Sequence, residues 1–264
     1  MTYLSRIRIN PLRAASQKLL ASPRAMHGAV MGGITGPPDS ERVLWRLDAD
    51  NPHRPHLFVL THSKPDWTHI VEQAGWPAAD GEHAAVRDYT PLLDQLAAGR
   101  EFAFRLTASP VQNTKSPAKP SPGQAKALEA GQGRGRGLRM GHRTAAAQLD
   151  WFLKRTDSWG FSVPDARTDP PAVGLEPTTK EAPSHAGTPA PSAAREVRII
   201  DRRRHSFTKN GRDSSVVIHT ATFEGRLRIT DPATLTHRLL DGIGPSKAYG
   251  CGLLTLAPLP GQGG

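Results

Sequence analysis

The first hundred residues alternate strand-like and helix-like patterns. Isoleucine and arginine alternate over 6–9, which is the period-two pattern of a strand with one buried face. A helical stretch follows at 12–21, and Ser22-Pro23 supplies a capping side chain and a first-turn proline for a second one. The remaining predicted elements are strands at 43–47 and 56–60, a short helix from 64 to 74, and a last strand within 86–92. The order is β-α-β-β-α-β.

The second part of the chain repeats this order. Alternating apolar positions predict a strand at 102–106, and an apolar helical face covers 145–153. The other predicted elements are strands at 197–201, 216–223 and 227–229, a helix capped by Asp231-Pro232 and ended by Gly242, and a closing strand at 253–256. Two such units predict an α+β fold of tandem ferredoxin-like (RRM-like) domains, with a first domain at 1–98 and a second at 99–264.

Two segments of the second domain have the composition of flexible insertions. Residues 110–143 hold four prolines and seven Lys or Arg against one acid, and 164–194 hold seven prolines. Segments of this kind bury too little apolar surface to offset chain entropy. We expect a basic tether at 110–143 and a Pro-rich loop at 164–194, both without regular structure.

Charge and cysteine content narrow the class of protein. The chain has 34 Lys and Arg against 24 Asp and Glu, a net charge of +10, which favours a polyanionic partner such as RNA or DNA. An ordinary protein from an arginine-rich proteome is the alternative. The single cysteine, Cys251, excludes an internal disulfide and a multi-cysteine zinc site, and indicates the reducing cytoplasm. With no long apolar run and no signal-peptide pattern, we expect no membrane contact. The scattered histidines predict no metal site.

A glycine-rich run near the C-terminus is the strongest local signal. Four glycines lie within 242–252, around Lys247. Such a loop lets backbone N–H groups approach a phosphate, and a lysine adds charge. The alternative is a tight helix-to-strand connection. The spacing matches neither the Walker loop, which needs Gly-Lys-Ser/Thr, nor the dinucleotide-binding pattern Gly-x-Gly-x-x-Gly. We therefore expect no nucleotide cofactor. The candidate phosphate-contacting residues are Gly244, Ser246, Lys247, Gly250 and Gly252.

Several short motifs stand in one collinear order. Those at the C-terminus are Phe223-Glu224-Gly225-Arg226-Leu227, Asp231-Pro232 and the run from Gly242 to Leu254. Those before it are Tyr3-Leu4-Ser5-Arg6, Met26-His27, Leu44-Trp45-Arg46-Leu47, Pro65-Asp66-Trp67, Phe104-Arg105-Leu106 and Trp151-Phe152-Leu153. Together they resemble the CasE family, the repeat-RNA endoribonucleases of the type I-E CRISPR Cascade complex. The resemblance spans nearly the whole chain apart from the two expected insertions.

The resemblance implies metal-independent cleavage of CRISPR precursor RNA at the base of the repeat hairpin. The 2′-hydroxyl attacks the neighbouring phosphate and leaves a 2′,3′-cyclic phosphate, and the product stays bound with other Cascade subunits. His27 matches the family's catalytic histidine, and imidazole suits proton transfer near neutral pH. Arg24 stands where the family has a tyrosine. A guanidinium holds phosphate but is a poor acid or base, so either His27 acts nearly alone or its partner is one of Tyr3, Tyr249 and Lys247.

A basic ribbon is the second candidate for RNA contact. Residues 195–212 contain seven Lys or Arg against two acids, with a hairpin-turn dipeptide at Asn210-Gly211. Its candidate contacts are Arg202, Arg203, Arg204, Lys209 and Arg212. The resemblance implies a basic loop beside the repeat stem, and Arg139 and Arg143 are further candidates; a solvated hairpin and a plain tether are the alternatives. Two other functions remain open: a catalytically silent repeat-binding subunit, and a generic nucleic-acid binder without hairpin preference.

Overall fold

The computed structural model describes residues 1–37, 40–77, 81–114, 138–166, 194–208 and 215–259 of the 264-residue chain. Its N-terminal elements are β1 (Tyr3–Arg8), α1 (Ala14–Ala21), α2 (Pro23–Met31), β2 (Leu44–Asp48), β3 (His56–Thr61), α3 (Thr68–Ala74), β4 (Ala84–Asp88) and α4 (Thr90–Leu93). The four strands form an antiparallel sheet in the order β2-β3-β1-β4. This is the strand order of a ferredoxin-like fold.

Helix α2 forms where its cap and first-turn proline predict. The Ser22 hydroxyl accepts a hydrogen bond from the Ala25 backbone N–H at 3.3 Å, and Pro23 occupies the first turn. Met26 and Val30, one turn apart, are buried against the sheet. The buried face therefore fixes the rotation of α2, and with it the direction of His27.

The second unit carries a five-stranded sheet. Its elements are β5 (Glu101–Ala108), β6 (Val111–Thr114), β7 (Leu138–Gly141), α5 (Ala145–Leu153), β8 (Phe161–Ser162), β9 (Val197–Thr208), β10 (Ser215–Ile229), α6 (Pro232–Asp241) and β11 (Leu254–Ala257), with short 3₁₀ helices at Asp157–Trp159 and Lys247–Tyr249. The path is β11-β5-β10-β8, and β9 also pairs with β10. The tandem ferredoxin-like fold is confirmed. We propose the domain boundary at residue 98, between α4 and β5.

The strands predicted at 216–223 and 227–229 are one strand, and their separation was wrong. Gly225 lies inside β10 and does not turn the chain. A Cβ at this position would lie 2.1 Å from the carbonyl oxygen of Glu196, so glycine is required by the close approach of the chain entering β9. Beyond β5, β10 continues with β9 as a two-stranded ribbon, which we call the basic hairpin (203–208 and 215–220).

The prediction that 110–143 has no regular structure was wrong at both ends of this segment, where two strands are found. Val111–Thr114 pairs with Leu138–Gly141 as an antiparallel ladder. The indole Nε1 of Trp151 donates to the Val111 carbonyl at 3.0 Å, which ties this ladder to α5. The described residues do not include 115–137, most of the Pro-rich segment (167–193) or 209–214.

The Pro-rich segment leaves and re-enters the fold at neighbouring residues. Asp165 and Arg195 form an isolated antiparallel bridge, and their side chains lie 3.1 Å apart as an ion pair. The Arg195 guanidinium also donates to the Val163 carbonyl at 3.1 Å. The two ends are therefore held together by backbone and side-chain contacts.

The two units share a buried interface. Leu44, Leu60 and Tyr89 of the first unit belong to the hydrophobic core of the second. Arg46 on β2 is 2% exposed and crosses the interface: its guanidinium donates to the carbonyls of Arg105 and Leu253 at 2.9 and 3.1 Å. Asp48 closes the arrangement with hydrogen bonds of 2.7 and 2.9 Å to the same guanidinium. The interface thus fixes one orientation of the two sheets.

Candidate functional site

The glycine-rich run forms a tight connection from α6 to β11. Ser246 and Gly250 both adopt left-handed backbone conformations, with φ of 66° and 80°, at either end of the 3₁₀ helix. A Cβ on Gly250 would lie 2.8 Å from the Trp45 ring. Packing and backbone geometry therefore account for Gly250 without a ligand. Phosphate contact by this loop stays a prediction.

Lys247 folds back over its own loop. Its ammonium group lies 3.4 Å from Asp241 at the end of α6, and its side chain is only 21% exposed. Burial acts to raise the pKa of Asp241, but Lys247 and Arg42 outweigh it and leave that pKa below its usual range. An RNA phosphate at Lys247 has to compete with this carboxylate.

Helix α2 packs against the 3₁₀ helix Lys247–Tyr249. His27 lies on α2 beside the buried Met26 and is itself half-buried. Arg24 is exposed one turn earlier, and residues three apart are neighbours on a helix surface. The structure therefore brings the helix that carries both predicted catalytic residues against the predicted phosphate loop.

A narrow cleft separates α1 and α2 from one face of the basic hairpin. Its walls combine all three regions singled out in the sequence. They are Leu19, Leu20, Pro23 and Met26 from the helices, Trp45, Leu47 and Thr107 below, Asp201, Arg203, His205, Thr220 and Thr222 from the ribbon, and Tyr249 and Gly250 from the loop. No motif predicted this convergence, because it depends on how the two units pack.

The arginines of the basic ribbon divide between its two faces. Arg202 points towards α5: its guanidinium donates to the Gln148 side chain at 2.7 Å and to the Arg143 carbonyl. Arg204 lies on the same face by strand alternation. Arg203 faces the cleft and pairs with Asp201 at 2.7 Å. The predicted residues Lys209 and Arg212 lie outside the described residues.

His219 also belongs to this surface, although no motif in the sequence indicates it. It lies on β10, opposite Arg204 of β9. A Cβ built on Gly141 of β7 would lie 3.3 Å from the His219 ring. Burial lowers its pKa, and the charges of Arg143, Arg204 and Arg202 lower it further. The charges of three predicted RNA-binding arginines thus act on one imidazole. The available signal was strand pairing, which places His219 across from the arginine run.

The candidate partners of His27 occupy different places. The Tyr3 hydroxyl lies 3.6 Å from the Met1 sulfur at the exposed start of β1. Lys247 pairs with Asp241 as described. Tyr249 stands next to α2, with its ring against Phe207 of the basic hairpin, the two ring centroids 4.8 Å apart. Arg139 is exposed on β7.

A family model described as "CRISPR associated protein" matches residues 2–258. The chain belongs to this family. The resemblance drawn from the motifs is confirmed by two relatives of this CRISPR-associated protein. The CRISPR-associated endoribonuclease Cse3 of Thermus thermophilus is 28% identical over 259 residues, covering 97% of this chain and 100% of the relative. The CRISPR system Cascade subunit CasE of Escherichia coli K12 is 26% identical over 219 residues, covering 82% and 89%.

Solved structures support the fold of this CRISPR-associated protein. Thermus thermophilus Cse3, bound to an RNA representing a pre-cleavage complex, superposes with a TM-score of 0.66 at 24% identity, covering 97% of this chain and 99% of that one. Escherichia coli Cas6e superposes with a TM-score of 0.55 at 23% identity, covering 97% and 100%. Among the described residues, no helix is long and apolar enough to span a bilayer. The same residues hold no group of three His, Cys, Asp or Glu side chains placed to bind a metal ion.

Proposed function

We propose that this CRISPR-associated protein is a cytoplasmic endoribonuclease. It cleaves CRISPR precursor RNA in the repeat, at the base of the hairpin, and keeps the product as a Cascade subunit. The observation that carries the proposal is the cleft, where the helix with His27 meets the glycine-rich loop and faces the basic hairpin. The names of the two relatives, an endoribonuclease and a Cascade subunit, support it.

The proposed reaction needs no metal ion and no cofactor. The 2′-hydroxyl attacks the adjacent phosphate, His27 accepts its proton, and the 5′-oxygen leaves, which gives a 2′,3′-cyclic phosphate and a 5′-hydroxyl. Arg24 holds the phosphate and offsets charge that develops on it, since a guanidinium does not give up its proton. His27 then acts nearly alone: its imidazolium returns the proton to the leaving 5′-oxygen, so the imidazole is neutral again at the end of the reaction.

Binding of the repeat stem uses charge and shape. A-form RNA presents a narrow major groove, so proteins recognise it mainly through phosphates, 2′-hydroxyls and helix ends. We assign the phosphates of the stem to Arg143, Arg202 and Arg204, whose charges act on His219, and to the exposed Arg139 on β7. Gly244, Ser246, Lys247, Gly250 and Gly252 are assigned to the strand that enters the cleft, with Arg203, Lys209 and Arg212 completing the basic surface.

The test is cleavage of the cognate repeat RNA in excess EDTA by wild type, His27→Ala and His237→Ala. His237 is exposed on α6 and serves as the matched control. We expect a 2′,3′-cyclic phosphate product from wild type and from His237→Ala only, with RNA binding retained by all three. Cleavage by His27→Ala at the wild-type rate contradicts the assignment, and cleavage that EDTA abolishes contradicts metal independence.

A catalytically silent repeat-binding subunit is the second candidate. It is favoured by Arg24, because a guanidinium at this position cannot act as a proton-transfer partner for His27. Tight hairpin binding without cleavage, by wild type in the same assay, supports this second function.

A further inference from the structure

One ring contact joins the basic hairpin to the loop beside α2. Phe207 lies on the cleft face of β9, and Tyr249 lies in the 3₁₀ helix that packs on α2. Their ring centroids are 4.8 Å apart with an interplanar angle of 52°, which is a favourable tilted geometry for aromatic rings. Both side chains are half-buried, so each covers apolar surface of the other.

The hairpin depends on such contacts for its direction. β10 pairs with β5 only from Ala221 onward, so Ser215–Thr220 and the facing half of β9 project beyond the main sheet. A two-stranded ribbon is a weak unit in isolation. On one face, Arg202 at the base of the ribbon contacts α5, and on the cleft face the ribbon itself contacts Tyr249 through Phe207.

The other side of the contact is rigid. Tyr249 precedes Gly250, whose left-handed backbone is packed against Trp45 without room for a Cβ. Trp45 is 3% exposed in the core below α2. The position of the Tyr249 ring is therefore set by the same core that sets the direction of His27.

We infer that Phe207 and Tyr249 are positioning residues, which hold the basic hairpin relative to α2 so that bound RNA presents its scissile phosphate to His27. This inference rests on the proposed function. Neither ring needs to exchange a proton in this role, so the tyrosine hydroxyl is dispensable and the ring is not.

The variants are Phe207→Ala, Tyr249→Ala and Tyr249→Phe, with Val217→Ala as the matched control. Val217 is 42% exposed and lies on the opposite face of the same hairpin. With saturating enzyme, we expect the two alanine variants at the ring contact to lower the single-turnover rate constant by about 10- to 100-fold, because misplacement of reacting groups is costly. Affinity for an uncleavable 2′-deoxy repeat should change by less than about threefold, since phosphate neutralisation dominates it. Tyr249→Phe and Val217→Ala should match wild type.

A crosslinking measurement keeps this test independent of catalysis. The Cβ position of Gly28, one residue after His27, has open space, so a photoreactive side chain fits there. With the 2′-deoxy repeat, we expect crosslinks at the nucleotides flanking the cleavage site, and a loss or spread of these crosslinks with Phe207→Ala. If wild type binds the repeat but does not cleave it, the proposed nuclease fails while the crosslinks still decide the inference.

Three outcomes overturn the inference. The first is an unchanged rate constant and unchanged crosslinks in both alanine variants. The second is a loss of affinity with an unchanged rate constant at saturation. The third is a Tyr249→Phe rate as low as that of Tyr249→Ala, because the hydroxyl would then take part in the chemistry.

Discussion

Removing the guanidinium of Arg46 should destabilise the protein more than any loss of a surface charge. In Arg46→Met an unbranched side chain is kept, but the carbonyls of Arg105 and Leu253 and the Thr255 hydroxyl each lose a hydrogen bond from the guanidinium. Breaking a buried ion pair on one side costs about 3–5 kcal/mol. Asp48 keeps a second cation, with Arg105 at 3.2 Å, which places the expected loss near the lower end, about 3 kcal/mol. At about 2–4 °C per kcal/mol for a chain of this size, Tm should fall by about 6–12 °C.

Urea unfolding, followed by tryptophan fluorescence, measures this difference in unfolding free energy. It is obtained from the shift of the urea midpoint, provided that the dependence of the unfolding free energy on urea concentration is unchanged. Lys154→Met is the matched control: its ammonium pairs with Asp150 on the surface of α5 at 70% exposure, and its loss should cost less than about 0.5 kcal/mol. The double variant Arg46→Met/Asp48→Asn should lose less than the sum of the single variants, because it leaves no uncompensated buried carboxylate. An Arg46→Met protein within about 1 kcal/mol of wild type would refute the reasoning.

Three further predictions concern separate parts of the molecule. Burial raises the pKa of the Cys251 thiol to about 12. At pH 8, iodoacetamide should therefore alkylate Cys251 only in urea and not in the native protein, as measured by mass spectrometry. Alkylation of the native protein would contradict the burial of this thiol. The pKa of His219 is lowered in the free protein by burial and by arginines whose charge RNA phosphates would offset. Repeat affinity in filter binding should therefore rise more steeply for wild type than for His219→Gln from about pH 7.5 to 6, and equal slopes would refute this. In urea titrations, Gly250→Ala should lower the unfolding free energy by about 2 kcal/mol more than Gly99→Ala. Both glycines have positive φ, but only Gly250 has no space for a Cβ. Equal losses in the two variants would contradict this prediction.

Local patterns predicted the elements of both units well. The capping serine and proline placed α2 correctly, and period-two alternation located β1 and β5. The ladder of β6 and β7 escaped prediction, because each strand has four residues and a long Pro- and Gly-rich stretch separates them. Strands this short show too few alternations to stand out from a loop.

The sequence pattern could not predict which face of the ribbon each arginine occupies. Between Ile199 and Asp201 the pairing with β10 shifts by one residue, as a β-bulge at Ile200. Because side chains alternate with a period of two, one extra residue moves every later side chain to the opposite face. Arg203 therefore faces the cleft, whereas an unbroken register would turn it towards α5 with its neighbours exchanged. The sequence Ile-Ile-Asp carries no sign of this shift.

The candidate site was predictable only in its separate parts. His27 was identified through resemblance, and the glycine-rich loop through composition. The contact between the helix that carries His27 and this loop follows from the packing of two sheets around Arg46, which joins residues 207 positions apart in the chain. Contacts of such separation have no local signature.

The bridge between Asp165 and Arg195 also makes this fold tolerant of insertions and deletions. Since it holds both ends of the intervening stretch at one point of the fold, we expect that residues can be added or removed there without moving a strand. Homologous chains are free to differ in length at this point, and a fluorescent protein or an affinity tag could be inserted there.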